Sequence, residues 1–154
     1  HFMGTSTFAE YTVMPEIALA KINPEAPLEK ACLFACGLST GLGAAMYTAK
    51  VGEGTTCAVF GAGMVGLGAV AGCRLMGAER IICVDLSPER LEMARAQGAT
   101  DLIVADGSSV EKILEMTGGY GADFAVAAGN VEIQVTGAAS TTIEWTVEAK
   151  VTVN

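Results

Sequence analysis

Apolar and polar positions are arranged in two different rhythms along this chain. Between residues 51 and 127, short apolar runs alternate with longer amphipathic stretches. Cys57-Ala58-Val59-Phe60 and Ile81-Ile82-Cys83-Val84 are continuous apolar runs, the pattern of strands buried on both faces. The spacing predicts strands over 56–60, 80–85, 101–104 and 123–127. Helices are expected over 63–76, 87–97 and 108–116. Gly77 and Gly98 are placed to stop the first two helices, and Ser87-Pro88-Glu89 to start the second. Strands alternating with helices imply right-handed crossovers and a parallel sheet.

Either side of this region the rhythm differs. Phe8–Val13 reads as a short strand and Ile17–Ile22 as an extended piece. Helical patterning runs from Pro27 to about Cys36 and again from Ser39 to Lys50, punctuated by Gly37 and Gly41. Beyond Asn130, Val131–Thr136 alternates apolar and polar residues. Thr142–Val153 alternates strictly, with Ile143, Trp145, Val147 and Val151 on one face. Period two predicts an antiparallel hairpin made of 131–136 and 142–153. Such a hairpin would dock on the open edge of the sheet or pair with a second chain to give a homo-oligomer.

The chemistry concentrates where the first βαβ unit turns. Gly61-Ala62-Gly63-Met64-Val65-Gly66 follows the 56–60 strand and opens a helix, and Asp85 ends the next strand. Strand, glycine turn, helix, strand and terminal acid are the parts, in order, of a dinucleotide site. Gly61 permits the tight turn, Gly63 lets backbone approach a pyrophosphate, and Gly66 lets the helix pack closely. The pyrophosphate would sit on free N–H groups at the positive helix end. Asp85 would accept both hydroxyl protons of the adenine ribose. The rival readings are a glycine-rich turn without ligand, in a non-catalytic structural module, and an S-adenosylmethionine site, which also pairs a glycine turn with a ribose-binding acid.

Composition narrows the partners. The 154 residues are 51% hydrophobic and carry a net charge of −8, so a core is affordable and a nucleic-acid surface is not expected. Gly54–Cys73 lacks charge and approaches bilayer length, but its glycines and β-like start argue against a membrane span. Gly68-x-x-x-Gly72 within it is expected to let a helix lie close to a sheet. Five cysteines, an odd number, together with no signal-peptide pattern at the N-terminus, point to a reducing, cytoplasmic setting. Cys57, Cys73 and Cys83 read as core. Cys32 and Cys36, four apart, would share one face of a helix. By residue type alone Cys36 reads as a buried helix cysteine and Arg90 as a solvated charge.

Residues 1–13, His1-Phe2-Met3-Gly4-Thr5 to Val13, the block Cys36-Gly37-Leu38-Ser39-Thr40-Gly41 and the glycine turn together resemble the medium-chain, zinc-dependent alcohol dehydrogenases. The nearest branches are the glutathione-dependent formaldehyde and aryl-alcohol dehydrogenases, and the likeness extends to about residue 130. The resemblance implies hydride transfer between an alcohol or aldehyde and NAD at a zinc ion. It implies that Cys36 is a zinc ligand and that Thr40 lies beside the nicotinamide as a catalytic residue. Phe2 and Met3 would line the alcohol pocket. Met64 and Val65 would meet the pyrophosphate and nicotinamide side, and Arg90 would stand near the adenosine ribose. The fold implied is α/β, a partial Rossmann domain over 51–130. A remnant of the catalytic domain at 1–50 precedes it and a β-patterned tail at 131–154 follows.

Departures from the family pattern set a further expectation. The family's other catalytic zinc ligands and its structural zinc loop are not in this sequence, and the single histidine, His1, matches none of them. Where the family commonly reads Asp-Phe-x-x-Glu-x-x-Gly-Asn, this chain has Asp123-Phe124-Ala125-Val126-Ala127-Ala128-Gly129-Asn130, one residue shorter and without the acid. This chain alone is therefore expected to bind NAD without turning over an alcohol.

Overall fold

The structure, a computed structural model, describes residues 7–127 and the backbone of 133–135. The chain divides into two compact units, His1–Cys32 and Leu33–Asn154. In the first, Glu16–Ala18 forms a 3-10 turn and Leu28–Ala31 a single α-helical turn, α1. The strand expected over 8–13 is corrected here, and of the extended piece expected over 17–22, Ile17 and Ala18 lie in the 3-10 turn while Leu19 is extended. Among the described residues neither segment has a ladder partner, and Phe8, Tyr11, Val13 and Ile17 are exposed. β propensity alone does not hold a strand, because the unpaired N–H and C=O groups then bond water instead.

The second unit carries the expected alternation. Its elements are α2 (Gly37–Gly43), continued by a π-helical turn over Ala44–Thr48, then β1 (Thr56–Phe60) and α3 (Met64–Leu75). These are followed by β2 (Arg80–Asp85), α4 (Pro88–Gln97), β3 (Asp101–Val104), α5 (Ser109–Met116) and β4 (Phe124–Ala127). A short β5 (Ile133–Val135) closes the series. The sheet order is β3-β2-β1-β4-β5. The first four strands are parallel, and β5 lies antiparallel on β4 with Ile133 opposite Val126. The fold is α/β, a parallel sheet with flanking helices. The expected docking of the tail on the sheet edge is seen for 133–135. The remainder of the predicted hairpin, including 142–153, lies outside the described residues.

Both faces of β1 and β2 are buried, which is why these two strands read as unbroken apolar runs. Cys57, Val59, Ile81 and Cys83 point to one face with Val70, Cys73, Leu91 and Ala94 of α3 and α4. Ala58, Ile82, Val84 and Ile103 point to the other, beneath Ile113 of α5. The helix ends follow their local chemistry. Ser87 Oγ accepts the Arg90 N–H at the start of α4, and Gly98 ends it in the left-handed region.

Two helical expectations change. Gly37 does not interrupt a helix but opens α2. Cys32 and Cys36 do not share a helical face: Cys32–Ala35 is a 3-10 turn, and Cys36 leaves helical geometry at φ −139°, ψ −83° before α2 begins.

The Gly68/Gly72 stripe also packs differently from expectation. It faces α2, not the sheet. A Cβ on Gly68 would stand 2.6 Å from the Leu38 carbonyl oxygen, and one on Gly72 2.8 Å from the Ala45 Cβ. The contacts pair Gly37 with Met64, Gly41 with Gly68 and Ala45 with Gly72. Each step is four residues on both helices, so α2 and α3 run side by side in the same direction.

Candidate functional site

The sheet order fixes where a ligand can enter. From β1 the chain crosses through α3 to β2 on one side, while β4 is added on the other side of β1. The crevice outside the carboxyl ends of β1 and β4 is thus the point where the winding reverses. The glycine turn leaves β1 at this point.

Gly61 has φ +96°, a conformation that a side chain would disfavour, and its N–H bonds the Val84 carbonyl at 2.7 Å. The Ala62 N–H donates to Asp85 Oδ2 at 2.7 Å. The turn is therefore tied twice to the end of β2. Gly63 caps α3 without a side-chain hydrogen bond, and a Cβ built on it would meet nothing within 4 Å. The first intrahelical bond comes only at Leu67, whose N–H donates to the Gly63 carbonyl at 2.8 Å. The uncapped start of α3 therefore faces open space, the arrangement an anion requires. Gly66 is buried inside α3, Val65 is half-buried, and Met64 is exposed beside Gly37.

Asp85 is the buried charged side chain of the described residues, 9% exposed. Its Oδ1 accepts the Ser87 N–H at 2.8 Å while Oδ2 holds Ala62. These bonds keep its carboxyl below the ordinary range, with the Ala62 N–H the largest cause. Burial opposes this, and Ser87, Arg90 and the Leu86 N–H add to it. Arg90 is exposed one turn into α4 and acts on Asp85 through its charge. The sequence pointed to Asp85 and Arg90 but not to Ala62 and Ser87, which contribute main-chain N–H groups. Residue type carries no signal for such a role; only the position between two turn glycines could have suggested Ala62.

Cys36 and Thr40 belong to the same neighbourhood. Cys36 precedes the first residue of α2, its carbonyl accepts the Thr40 N–H at 2.8 Å, and both residues are exposed. The reading of Cys36 as a buried helix cysteine is thus corrected: the start of α2 leaves it on the surface. The parallel packing of α2 on α3 brings the Cys36–Thr40 segment to the glycine turn, through Gly37 against Met64. Phe2 and Met3 lie outside the described residues. A groove of about 390 Å³ beside β3 and α5, lined by Leu102, Val104, Lys112 and Met116 among others, contains none of these residues.

The residues present fit a dinucleotide: an uncapped helix start, a glycine with clear space above it, and an ionised acid at the end of the second strand. They do not fit the family's zinc in the same way. Cys36 is a sound thiolate donor, but among the described residues no group of three or more His, Cys, Asp or Glu side chains gathers to hold a metal ion.

Comparison with known proteins agrees with this geometry. A family model described as zinc-binding dehydrogenase matches residues 64–142. Alcohol dehydrogenase class-3 of Myxine glutinosa is 52% identical over 137 residues, covering 86% of this chain and 36% of that protein. An alcohol dehydrogenase zinc-binding domain protein from Burkholderia ambifaria superposes with a TM-score of 0.64 at 43% identity, covering 69% of this chain and 29% of its own. Benzyl alcohol dehydrogenase from Acinetobacter calcoaceticus superposes with a TM-score of 0.63 at 36% identity, covering 70% and 30%. The chain spans about a third of the length of the curated relatives it matches.

Proposed function

The chain belongs to the zinc-binding dehydrogenase family, and we propose that it is the NAD-holding portion of an enzyme that moves hydride between an alcohol or aldehyde and NAD. The observation that carries this reading is the Asp85 carboxylate, ionised and held at the end of β2 while also bonded to the turn that opens α3. The diphosphate is received by the N–H groups at the start of α3 above Gly63. The ribose diol donates to the free lone pairs of Asp85, with Arg90 nearby. Thr40 and Cys36, carried to the turn by α2, stand on the nicotinamide side with Met64 and Val65, and Phe2 and Met3 belong to the alcohol pocket. NAD, when bound, supplies the hydride acceptor. No step is assigned to zinc, because the described residues offer Cys36 without the donors a tetrahedral site needs.

In this reading residues 51–130 form the cofactor domain, 1–50 belong to the catalytic domain, and 131–154 form the β-patterned tail. The compartment is cytoplasmic. Among the described residues no single helix is long and apolar enough to cross a membrane.

Equilibrium binding tests the proposal. Saturable binding of NAD and ADP-ribose, with S-adenosylmethionine much weaker, is expected. Absence of NAD binding, or tighter S-adenosylmethionine binding, would overturn it in favour of the structural-module or methyl-donor alternative respectively.

A further inference from the structure

Asp85 has work to do before any ribose arrives. The glycine turn is tied to β2 by two main-chain donors. One tie, Gly61 N–H to the Val84 carbonyl at 2.7 Å, continues the sheet and survives any change of side chain. The other, Ala62 N–H to Asp85 Oδ2 at 2.7 Å, exists only through the carboxylate. Ser87 N–H holds Oδ1 at 2.8 Å and fixes the carboxylate plane. Each oxygen thus holds one short N–H bond and keeps further acceptor capacity. We propose that Asp85 is a positioning residue for the diphosphate turn as well as the ribose acceptor: through Ala62 it holds the turn so that the N–H groups at the start of α3 stand where phosphate oxygens arrive. The inference rests on the nucleotide reading above.

Two opposing effects make this role separable. A nucleotide that lacks the ribose diol cannot donate to Asp85. Loss of the carboxylate then removes a negative charge near an anionic ligand, which by charge alone tightens binding. If Asp85 shapes the turn, the same loss frees the Ala62 N–H, lets the turn relax and weakens binding. The sign of the effect on a diol-free ligand therefore distinguishes the two roles.

The experiment is calorimetric titration of the full chain with ADP and with 2′,3′-dideoxy-ADP, in the wild type, Asp85→Ala and Asp85→Asn. Hydrogen exchange at the Ala62 amide is followed in parallel. Asp85→Ala is expected to bind dideoxy-ADP about tenfold more weakly, the scale of one charge-assisted hydrogen bond, and to exchange the Ala62 amide faster. The loss should be smaller in Asp85→Asn, whose amide oxygen can still accept one of the two N–H groups. Unchanged or tighter dideoxy-ADP binding in a folded Asp85→Ala overturns the proposal. So does rapid Ala62 exchange in the wild type. A wild-type chain that binds neither nucleotide refutes the nucleotide reading itself, and this inference with it.

Discussion

Gly41 and Gly68 meet across the α2–α3 contact with no room for a methyl group. A Cβ on Gly41 would stand 2.6 Å from the Ala69 amide nitrogen and 2.8 Å from the Gly68 carbonyl carbon. Backbone lines this contact, so no side chain can swing aside. Gly41→Ala should cost about 1–3 kcal/mol by overpacking. Gly43, on the same helix, has clear space around it and a helical φ of −62°. Gly43→Ala should instead be neutral or stabilise by about 0.5–1 kcal/mol. Urea denaturation of the two variants checks this; equal effects would show that α2 and α3 do not pack as described.

An ionised Asp85 predicts a cofactor preference whose size depends on pH. Its carboxyl is held below the usual range, chiefly by the Ala62 N–H. A depressed pKa means that the stability it contributes is fully present above its unfolded value near 4. That contribution is lost as pH falls through the lowered value. NAD affinity should therefore be flat from pH 8 to 5. NADP should bind more weakly, since a second negative charge at about 4 Å costs roughly 4 kcal/mol at an effective dielectric of about 20. That penalty should relax below about pH 6, where the 2′-phosphate takes up a proton. Titrations of both cofactors at three pH values measure this, and a wild-type preference for NADP removes Asp85 from its role.

The cysteines should react in two groups. Cys32 and Cys36 are exposed, whereas Cys57, Cys73 and Cys83 are buried. Alkylation followed by mass spectrometry should modify the first two in the native chain and all five after unfolding.

The same burial predicts alkaline sensitivity. Burial pushes the Cys83 thiol up to about 11. Cys73, hydrogen-bonded with Cys57 and also buried, is pushed up further. A raised pKa contributes stability that is complete below the unfolded value near 8.5 and is lost as pH rises. Cys57, bonded to Cys73, is pushed the opposite way, so the pair partly cancels. Stability should fall through Cys83 by about 1.4 kcal/mol per pH unit above that point. Denaturation midpoints at pH 8 and 10 measure the slope; no decline would mean the thiols are not sealed in the core.

Zinc binding is expected to be weak in this chain by itself, and alcohol oxidation undetectable, because Cys36 stands without a gathered donor set among the described residues. Elemental analysis after dialysis and an assay for NADH test both. Stoichiometric zinc that disappears in Cys36→Ser would reveal a site built from other residues or from two chains.

Much of the fold was legible because its signals are local. Cys57–Phe60 and Ile81–Val84 are apolar at every position, which only a doubly covered strand needs. Ser87-Pro88 and Gly98 mark the two ends of α4 by backbone chemistry. The errors arose where structure depends on distant partners. Phe8–Val13 has strand composition, but composition cannot supply a ladder. The Gly68/Gly72 stripe announces close approach without saying to what. At the site, Asp85 was legible because side-chain chemistry at a fixed spacing shows in a sequence. Ala62 and Ser87 act through the main chain, and a main-chain donor is the same in every residue but proline.

Gly63 separates two kinds of selection. Its φ of −78° suits any L residue, and nothing stands within 4 Å of a side chain placed there. A library of variants sorted for folding alone would fill position 63 freely, at no more than the modest cost of a poorer helix cap. Sorted for retention on an immobilised nucleotide, the same library should return glycine. The position would be silent in every stability screen, and its constraint would become visible only when the missing neighbour, the ligand, is supplied.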